Sequence, residues 1–280
     1  FPQGVFYRRE RGAWQIQSPL RRDTLVNHLI GRLEGGMDMR HVIAMVDHVL
    51  SRQVYGFDCD SARGAIIPTP NGPKLNLYAQ PELKPREGEF LRIKQLISAL
   101  CSGDEKAIEW LMHWSASIIQ RPERRSMVAV LCLSPQQGIG KSMFGRILAS
   151  IIGRKNSSIV SNRTLRDSFN ASYVTKLLVL ADEVGISGRD GDIVAALKAY
   201  ITDDRAPCRA PYAARTEVDN RMTWYLTSNE RRPLMLEEDD RRFTVFVPKE
   251  VDWKYKKMLS KCFNPATGEY SQAFAQEVGG

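Results

Sequence analysis

The sequence predicts an α/β protein built on a parallel sheet with helices on both faces, preceded by a smaller, mainly helical N-terminal unit. From about Ser126 onward, short apolar runs of strand length alternate with amphipathic helical segments. This alternation is typical of parallel strands joined by crossover helices. Before that point, Thr24–Leu33 and Met39–Arg52 carry apolar residues at helical spacing, which favours a separate helical unit.

The composition is that of an ordinary globular protein. Of the 280 residues, 43% are hydrophobic and 26% are charged, which excludes a disordered chain. The longest apolar runs are far shorter than the roughly 18 residues of a membrane span, so we expect no membrane partner. A net charge of +8 suits a polyanionic partner. The five cysteines form no CxxC pair and no cluster with histidine, so we expect neither disulfides nor zinc, and a cytoplasmic location.

Four regions are expected along the chain. They are an N-terminal unit at 1–75 with short strands in Val5–Gln17, a linker and helical collar at 76–120, a core at 121–250 and a helical segment at 251–280. Pro, Asn and Gly make Ile66–Pro85 an irregular connection near the first boundary. The collar is predicted to contain helices over Glu89–Leu100 and Asp104–Ile119, with Asp104 as an N-cap. Because the chain opens without Met, we expect it to be cut from a longer polypeptide.

Five strands are predicted in the core, and chemistry in such sheets sits at their carboxyl ends. They are Val128–Leu133, Ser158–Ser161, Leu177–Ala181, Met222–Leu226 and Phe243–Val247.

A glycine loop follows the first strand and leads into a helix predicted over Met143–Ile152. The order of strand, glycine loop, Lys141-Ser142 and helix is that of a phosphate-binding loop. Its amides and the helix N-terminus would cradle phosphate, while Lys141 would reach the β and γ phosphates and Ser142 would hold Mg²⁺. Pro135 stands where the strict pattern has glycine. The alternative interpretation is a glycine-rich turn with a surface lysine.

Polar residues also follow two later strands. Asp182 and Glu183 end the third strand, where Asp182 would support the Mg²⁺ shell and Glu183 would deprotonate the attacking water. The alternative is a solvated acidic turn. Asn229 ends the fourth strand and would hydrogen-bond the water or the γ-phosphate, although a Ser-Asn pair after a strand is also an ordinary turn.

Paired arginines open the fifth strand. Arg241 and Arg242 could stabilise charge at a γ-phosphate, as arginine fingers do. They also follow four acidic residues, so a surface salt-bridge cluster explains them equally well.

In this order, the motifs resemble those of superfamily 3 helicases of the AAA+ class, specifically those fused to primase or primase-polymerase modules in phages and mobile elements. The resemblance covers roughly Leu77–Pro248 and includes Phe169-Asn170, Leu197-Lys198 and Asp240–Phe243. It implies a P-loop AAA+ fold, a ring of usually six subunits on single-stranded DNA, and ATP with Mg²⁺ held between neighbouring subunits. A primase or polymerase module in the same parent chain is also implied.

The resemblance also implies roles for individual residues. Lys141, Ser142, Asp182, Glu183 and Asn229 would act on the subunit's own ATP, whereas Arg242, or Arg241 in its place, would reach the neighbour's ATP. Lys198 matches a second basic contact of that kind. The residues expected to bind the nucleotide are Gln137, Gly138, Ile139, Gly140, Lys141, Ser142, Met143 and Lys198.

A basic stretch between Tyr200 and Arg221 corresponds to the family's hairpin in the ring channel. Arg209 and Arg215 would contact phosphates, and Tyr212 would stack on a base, unless this is only an exposed basic loop.

A replicative helicase domain is therefore the leading hypothesis. A nucleotide-gated assembly module is the main alternative, and a protein remodeller is a third.

Overall fold

A computed structural model describes residues 7–10, 13–16, 57–64, 66–185, 191–210, 215–230, 239–264 and 269–279. The strands are β1 (Tyr7–Glu10), β2 (Ala13–Ile16), β3 (Phe57–Asp58), β4 (Ile66–Ile67), β5 (Lys74–Asn76), β6 (Ala129–Leu133), β7 (Ser157–Val160), β8 (Leu178–Ala181), β9 (Arg205–Cys208), β10 (Thr216–Asp219), β11 (Thr223–Ser228), β12 (Phe243–Phe246), β13 (Phe263–Asn264) and β14 (Glu269–Tyr270). The helices are α1 (Leu91–Leu100), α2 (Glu105–Gln120), α3 (Lys141–Ile152), α4 (Asn162–Arg166), α5 (Gly191–Thr202), α6 (Trp253–Cys262) and α7 (Gln272–Gly279). Within these ranges, no helix is both long and apolar enough to span a bilayer.

The core is a five-stranded sheet in the order β12-β6-β11-β8-β7, and all its strands are parallel. Residues of β6, β8 and β11 are buried on both sides, as expected for strands covered by helices on two faces. The five strands lie within two residues of their predicted bounds. The mixed α/β class and the parallel sheet flanked by helices are therefore confirmed.

Alternate residues of the strands build two separate hydrophobic clusters. Val130 of β6 and Tyr225 of β11 pack with buried residues of α1, α2, α3, α6 and α7. Leu131 and Trp224 point to the other face, where they pack with α5 and the β9–β10 hairpin. The period of two along each strand thus assigns side chains to one layer or the other.

Close packing fixes α3 on the sheet directly after the glycine loop. A Cβ at Gly145 would lie 2.9 Å from the ring of Tyr225, so only glycine allows this approach. The Tyr225 ring also contacts that of Phe144, with centroids 5.6 Å apart. Its buried hydroxyl donates to the carbonyl of Lys141 at 2.9 Å, which ties the first turn of α3 to the central strand.

The regions before the core agree in part with expectation. α1 and α2 match the two predicted collar helices, and the Asp104 carboxylate caps α2 by accepting from the N–H groups of Lys106 and Ala107. β1 and β2 pair antiparallel inside the stretch predicted to form strands. The predicted helices at 24–33 and 39–52 lie outside the described residues.

The segment predicted to be an irregular connection contains two short strands. β4 and β5 join β3 in a three-stranded sheet, in which Leu75 packs against the core. Arg221 donates two hydrogen bonds to Asp58 at 2.7 and 3.0 Å, which fastens this sheet to the segment before β11. Strands of two or three residues are too short to show the alternation of apolar and polar residues that marks a strand. The Pro, Asn and Gly residues between them therefore predicted an irregular connection. β5 also crosses the predicted boundary at residue 75.

Candidate functional site

The candidate site lies at the carboxyl edge of the sheet, where three neighbouring strands end. β11 lies between β6 and β8, so the glycine loop after β6, the acidic pair after β8 and Asn229 after β11 meet at one edge. The N–H of Ser134 donates to the carbonyl of Ser228 at 3.1 Å, which extends the pairing of β6 and β11 to the start of the loop.

Two glycines shape the loop. Gly138 and Gly140 have φ values of 74° and 96°, a region that favours glycine. A Cβ at Gly140 would also lie 2.3 Å from Leu96 Cδ1, so the α1 helix packs closely against the loop. No side chain caps α3, so the amides of its first turn are available to a bound anion. Pro135 is exposed, and the loop around it closes without a glycine at that position.

The Lys141 side chain is folded under the loop and is only 7% exposed. Its ammonium donates to the carbonyls of Ser134 and Gln136 at 2.8 and 3.2 Å, and to Asn229 Oδ1 at 3.0 Å. Burial lowers the pKa of Lys141, whereas nearby acidic groups and a thiol act in the opposite direction. The lysine and the amide predicted to serve one site are therefore in direct contact.

The hydroxyl of Ser142 and the carboxylate of Asp182 are also joined. Ser142 Oγ donates to Asp182 Oδ1 at 2.5 Å, and Thr227 Oγ1 donates to the same oxygen at 2.7 Å. These are hard oxygen donors of the kind Mg²⁺ prefers, alongside substrate phosphates and water. Among the described residues no group of three His, Cys, Asp or Glu side chains could hold a metal alone. The residues therefore fit a Mg²⁺ ion that is shared with a phosphate ligand.

Glu183 occupies a constrained turn beside this pair. Its φ of 54° is unusual for a residue with a side chain. Thr227 Oγ1 accepts from the Glu183 N–H at 3.2 Å, and the Asn162 side chain donates to the Glu183 carbonyl at 3.0 Å. The Glu183 carboxylate is exposed and makes no hydrogen bond or ion pair within the described part of the chain. The turn thus holds an exposed carboxylate beside the Ser142–Asp182 pair.

The other residues expected to bind nucleotide differ in exposure. Gln137 and Gly138 are exposed on the loop, whereas the side chains of Ile139 and Met143 are buried in the core. Ile139 and Met143 could therefore contribute only backbone groups to a ligand.

Two residues near the site were missed by sequence reasoning. Thr227 connects Asp182 to Glu183, and Arg146 approaches Asp182 Oδ2 at 3.7 Å. Arg146 follows Ser142 by one helical turn, so its spacing was an available signal. Nothing in the sequence distinguishes Thr227 from any other threonine at the end of a strand.

The basic residues predicted to reach the neighbouring subunit's ATP lie at the opposite edge of the sheet. The Arg242 carbonyl accepts from the Ala129 N–H at 2.8 Å, which places Arg242 where β6 begins. Lys198 of α5 pairs with Asp240 at 2.8 Å, and Arg242 Nε lies 3.6 Å from the same carboxylate. β6 separates this cluster from the glycine loop by roughly 15 Å. Arg242 and Lys198 therefore lie together and apart from Lys141 of their own chain.

Asp240 holds this basic cluster in place. Its side chain is only 3% exposed. Burial acts to raise the pKa of Asp240, but hydrogen bonds from Lys198 and from the backbone of Arg242 outweigh it, so the pKa is lowered. Arg241 is exposed beside it.

The expected basic hairpin is formed by β9 and β10, which pair antiparallel. Asn170, which is 4% exposed, anchors its base: the side chain accepts from the Arg209 N–H at 2.7 Å and donates to the Pro207 carbonyl at 2.7 Å. Arg209 directly follows β9 and Arg215 directly precedes β10, and both are exposed. Tyr212 lies outside the described residues.

The fold and the site together define an α/β protein with a glycine loop, a buried lysine and two carboxylates at the carboxyl edge of a parallel sheet. The sequence profile of a family of unknown function, DUF5906, matches residues 133–242, which contain all these groups.

Comparisons with individual proteins find similarity to a phage DNA primase-polymerase. The chain is 29% identical over 182 residues to the DNA primase-polymerase of Nitratiruptor phage NrS-1, a match that covers 63% of this chain and 25% of that protein. Two apo structures of the NrS-1 C-terminal region have the same fold, with TM-scores of 0.63 and 0.61 at 20% and 22% identity. They cover 84% and 85% of this chain, and the chain covers 57% and 59% of them. The chain thus spans about a quarter of the length of its phage relative.

Proposed function

We propose that this chain is an ATP-hydrolysing helicase domain of the superfamily 3 AAA+ type, which works as a ring on single-stranded DNA during replication. The observation that carries the proposal is the convergence of Lys141, the Ser142–Asp182 pair and Asn229 at one sheet edge, with the exposed carboxylate of Glu183 beside them. A glycine loop alone would fit any phosphate ligand. The added carboxylate supplies the proton acceptor that hydrolysis requires.

Each residue has a task that follows from its position. The loop amides and Lys141 would neutralise phosphate charge, for which Lys141 would exchange its contacts with the loop carbonyls for contacts with the ligand. Ser142 and Asp182 would hold Mg²⁺, which supplies charge neutralisation at the phosphates. Glu183 would accept a proton from the attacking water, which Asn229 would orient.

The distance between the Arg242–Lys198 cluster and the Lys141 loop supports a site shared between subunits. Arg242 and Lys198 lie at the far edge of the sheet and cannot reach the Lys141 loop of their own chain. In a ring, the same edge would face the nucleotide of the next subunit. The similarity to the NrS-1 primase-polymerase supports a replication role and a polymerase module elsewhere in the parent chain.

The test is ATP hydrolysis with and without single-stranded DNA, for the wild type and two variants. We expect DNA to stimulate the wild type. Lys141→Ala should lose hydrolysis, since charge at the γ-phosphate is removed, whereas Glu183→Gln should still bind ATP but lose turnover, since only the proton acceptor is removed.

Two results would contradict the proposal. Wild-type turnover by Glu183→Gln would show that Glu183 is not the base. A rate of ATP hydrolysis that does not change when single-stranded DNA is added would favour the nucleotide-gated assembly module instead.

A further inference from the structure

The α6 helix and the residues before it lie along the glycine loop. The Gln136 side chain makes a double hydrogen bond with the backbone of Val251, donating to its carbonyl at 2.8 Å and accepting from its N–H at 2.9 Å. Further along, Leu259 Cδ1 lies 3.2 Å from the position of a Cβ on Gly140. The glycine loop therefore contacts this segment in two places, at Val251 before α6 and at Leu259 within it. These two contacts hold the residues between them against the loop.

Lys256 lies between these two contacts, next to Gly138. Its Cδ lies 3.8 Å from the position of a Cβ on Gly138, and the residue is half-buried. Its backbone N–H donates to the Asp252 carbonyl, but its ammonium has no ion-pair partner within the described ranges. A second lysine therefore lies beside an exposed residue of the loop, while Lys141 is folded beneath it.

We propose that Lys256 is a further phosphate-binding residue of this site, which adds a second cation over the α and β phosphates of a nucleoside di- or triphosphate. The inference rests on the proposed nucleotide binding. The amides of a glycine loop cradle the α and β phosphates, whereas the loop lysine reaches the β and γ phosphates. The two bonds beyond Lys256 Cδ bring its ammonium within hydrogen-bond range of an anion held by the Gly138 region. Lys141 and Lys256 would then grip the phosphate chain from two sides.

The test is the affinity of the purified protein for ADP, ATP and AMP in the presence of Mg²⁺, measured by isothermal titration calorimetry. Lys256→Ala should weaken ADP and ATP by roughly tenfold or more, because a charge-assisted hydrogen bond is lost. Lys256→Arg keeps the cation and should restore most of the affinity. Lys254→Ala is the matched control, since Lys254 is exposed on the same helix and should bind as the wild type does. Thermal unfolding of each variant verifies that α6 remains folded.

Three results would overturn the inference. If Lys256→Ala binds ADP and ATP as tightly as Lys254→Ala, while Lys141→Ala loses binding, the site is real and Lys256 takes no part. If only ATP is weakened, Lys256 does not serve the α and β phosphates. If the wild type binds neither ADP nor ATP, this inference falls together with the proposed function.

Discussion

Thr227 shows how one hydroxyl can organise the acidic end of the site. Its side chain is 3% exposed and donates to Asp182 while accepting from the N–H of Glu183. The next residue along β11 also binds this turn, since Ser228 Oγ donates to the Val184 carbonyl at 2.6 Å. These bonds hold the turn in which Glu183 adopts its positive φ, so the two carboxylates depend on the strand that also carries Asn229.

Thr227→Val should therefore reduce turnover while nearly preserving shape. We expect kcat to fall roughly 10- to 100-fold, as is common when a residue orienting a metal ligand is lost. We also expect the free energy of unfolding to fall by about 1–3 kcal/mol, because a buried hydrogen-bonding group loses its partner. Urea unfolding and steady-state ATP hydrolysis measure the two effects. Thr227→Ser keeps the hydroxyl and is the control; equal turnover by the Val and Ser variants would rule out this positioning role.

At the scale of elements, β12 and α5 carry the basic cluster that the proposal assigns to a neighbouring subunit. Mixing Arg242→Ala with Lys141→Ala protein should recover some ATP hydrolysis, although neither variant should hydrolyse ATP alone. Recovery is expected because a mixed interface can join an intact Lys141 to an intact Arg242. The measurement is hydrolysis across mixing ratios, in rings shown to exchange subunits. Failure to recover at every ratio would count against a shared site.

The β9–β10 hairpin is the element proposed to contact DNA. Arg209→Ala or Arg215→Ala should each lower the slope of log affinity against log salt by about 0.7, because one phosphate contact is lost. Tyr212→Ala should instead weaken binding by about 1–3 kcal/mol with an unchanged slope, because stacking is insensitive to salt. Single-strand affinity across a salt titration separates the two effects.

Arg154→Ala is the matched control for the hairpin variants, since it removes one exposed positive charge from outside the hairpin. Identical curves for the wild type and all hairpin variants would place the DNA path elsewhere, such as the basic residues around Arg8 and Arg9.

The elements of the core were predictable because each signal is local. The glycine loop lies between a strand and a helix in sequence, whereas the acidic pair and Asn229 each directly follow a strand. The contacts between Gln136 and Val251, or between Asn170 and Arg209, join residues far apart in the chain. The spacing of apolar residues along the sequence does not indicate such contacts. The three-stranded sheet of β3, β4 and β5 was missed for another reason, since its strands are shorter than one repeat of the pattern.

At the scale of the whole molecule, the five cysteines are all unpaired and buried. Burial raises the pKa of Cys101 to about 11 and that of Cys59 and Cys132 to about 12. Only the thiolate is nucleophilic, so a raised pKa means little reaction at neutral pH. We expect the native protein to resist iodoacetamide at pH 8 and to react at all five positions in denaturing urea, as counted by mass spectrometry. Rapid labelling of the native protein at that pH would contradict the buried placement.

The order of strands in the sheet also constrains how the chain can fold during its synthesis. Both neighbours of β6 are encoded far downstream, since β11 and β12 follow it only after β7, β8, α5 and the hairpin. A ribosome adds about 5–20 residues per second, so β6 emerges several seconds before either neighbour exists. During that time its apolar residues and both of its edges lack their native partners, which is a state prone to aggregation. Any fragment that stops before Thr223 would keep the glycine loop but leave it on a strand without neighbours.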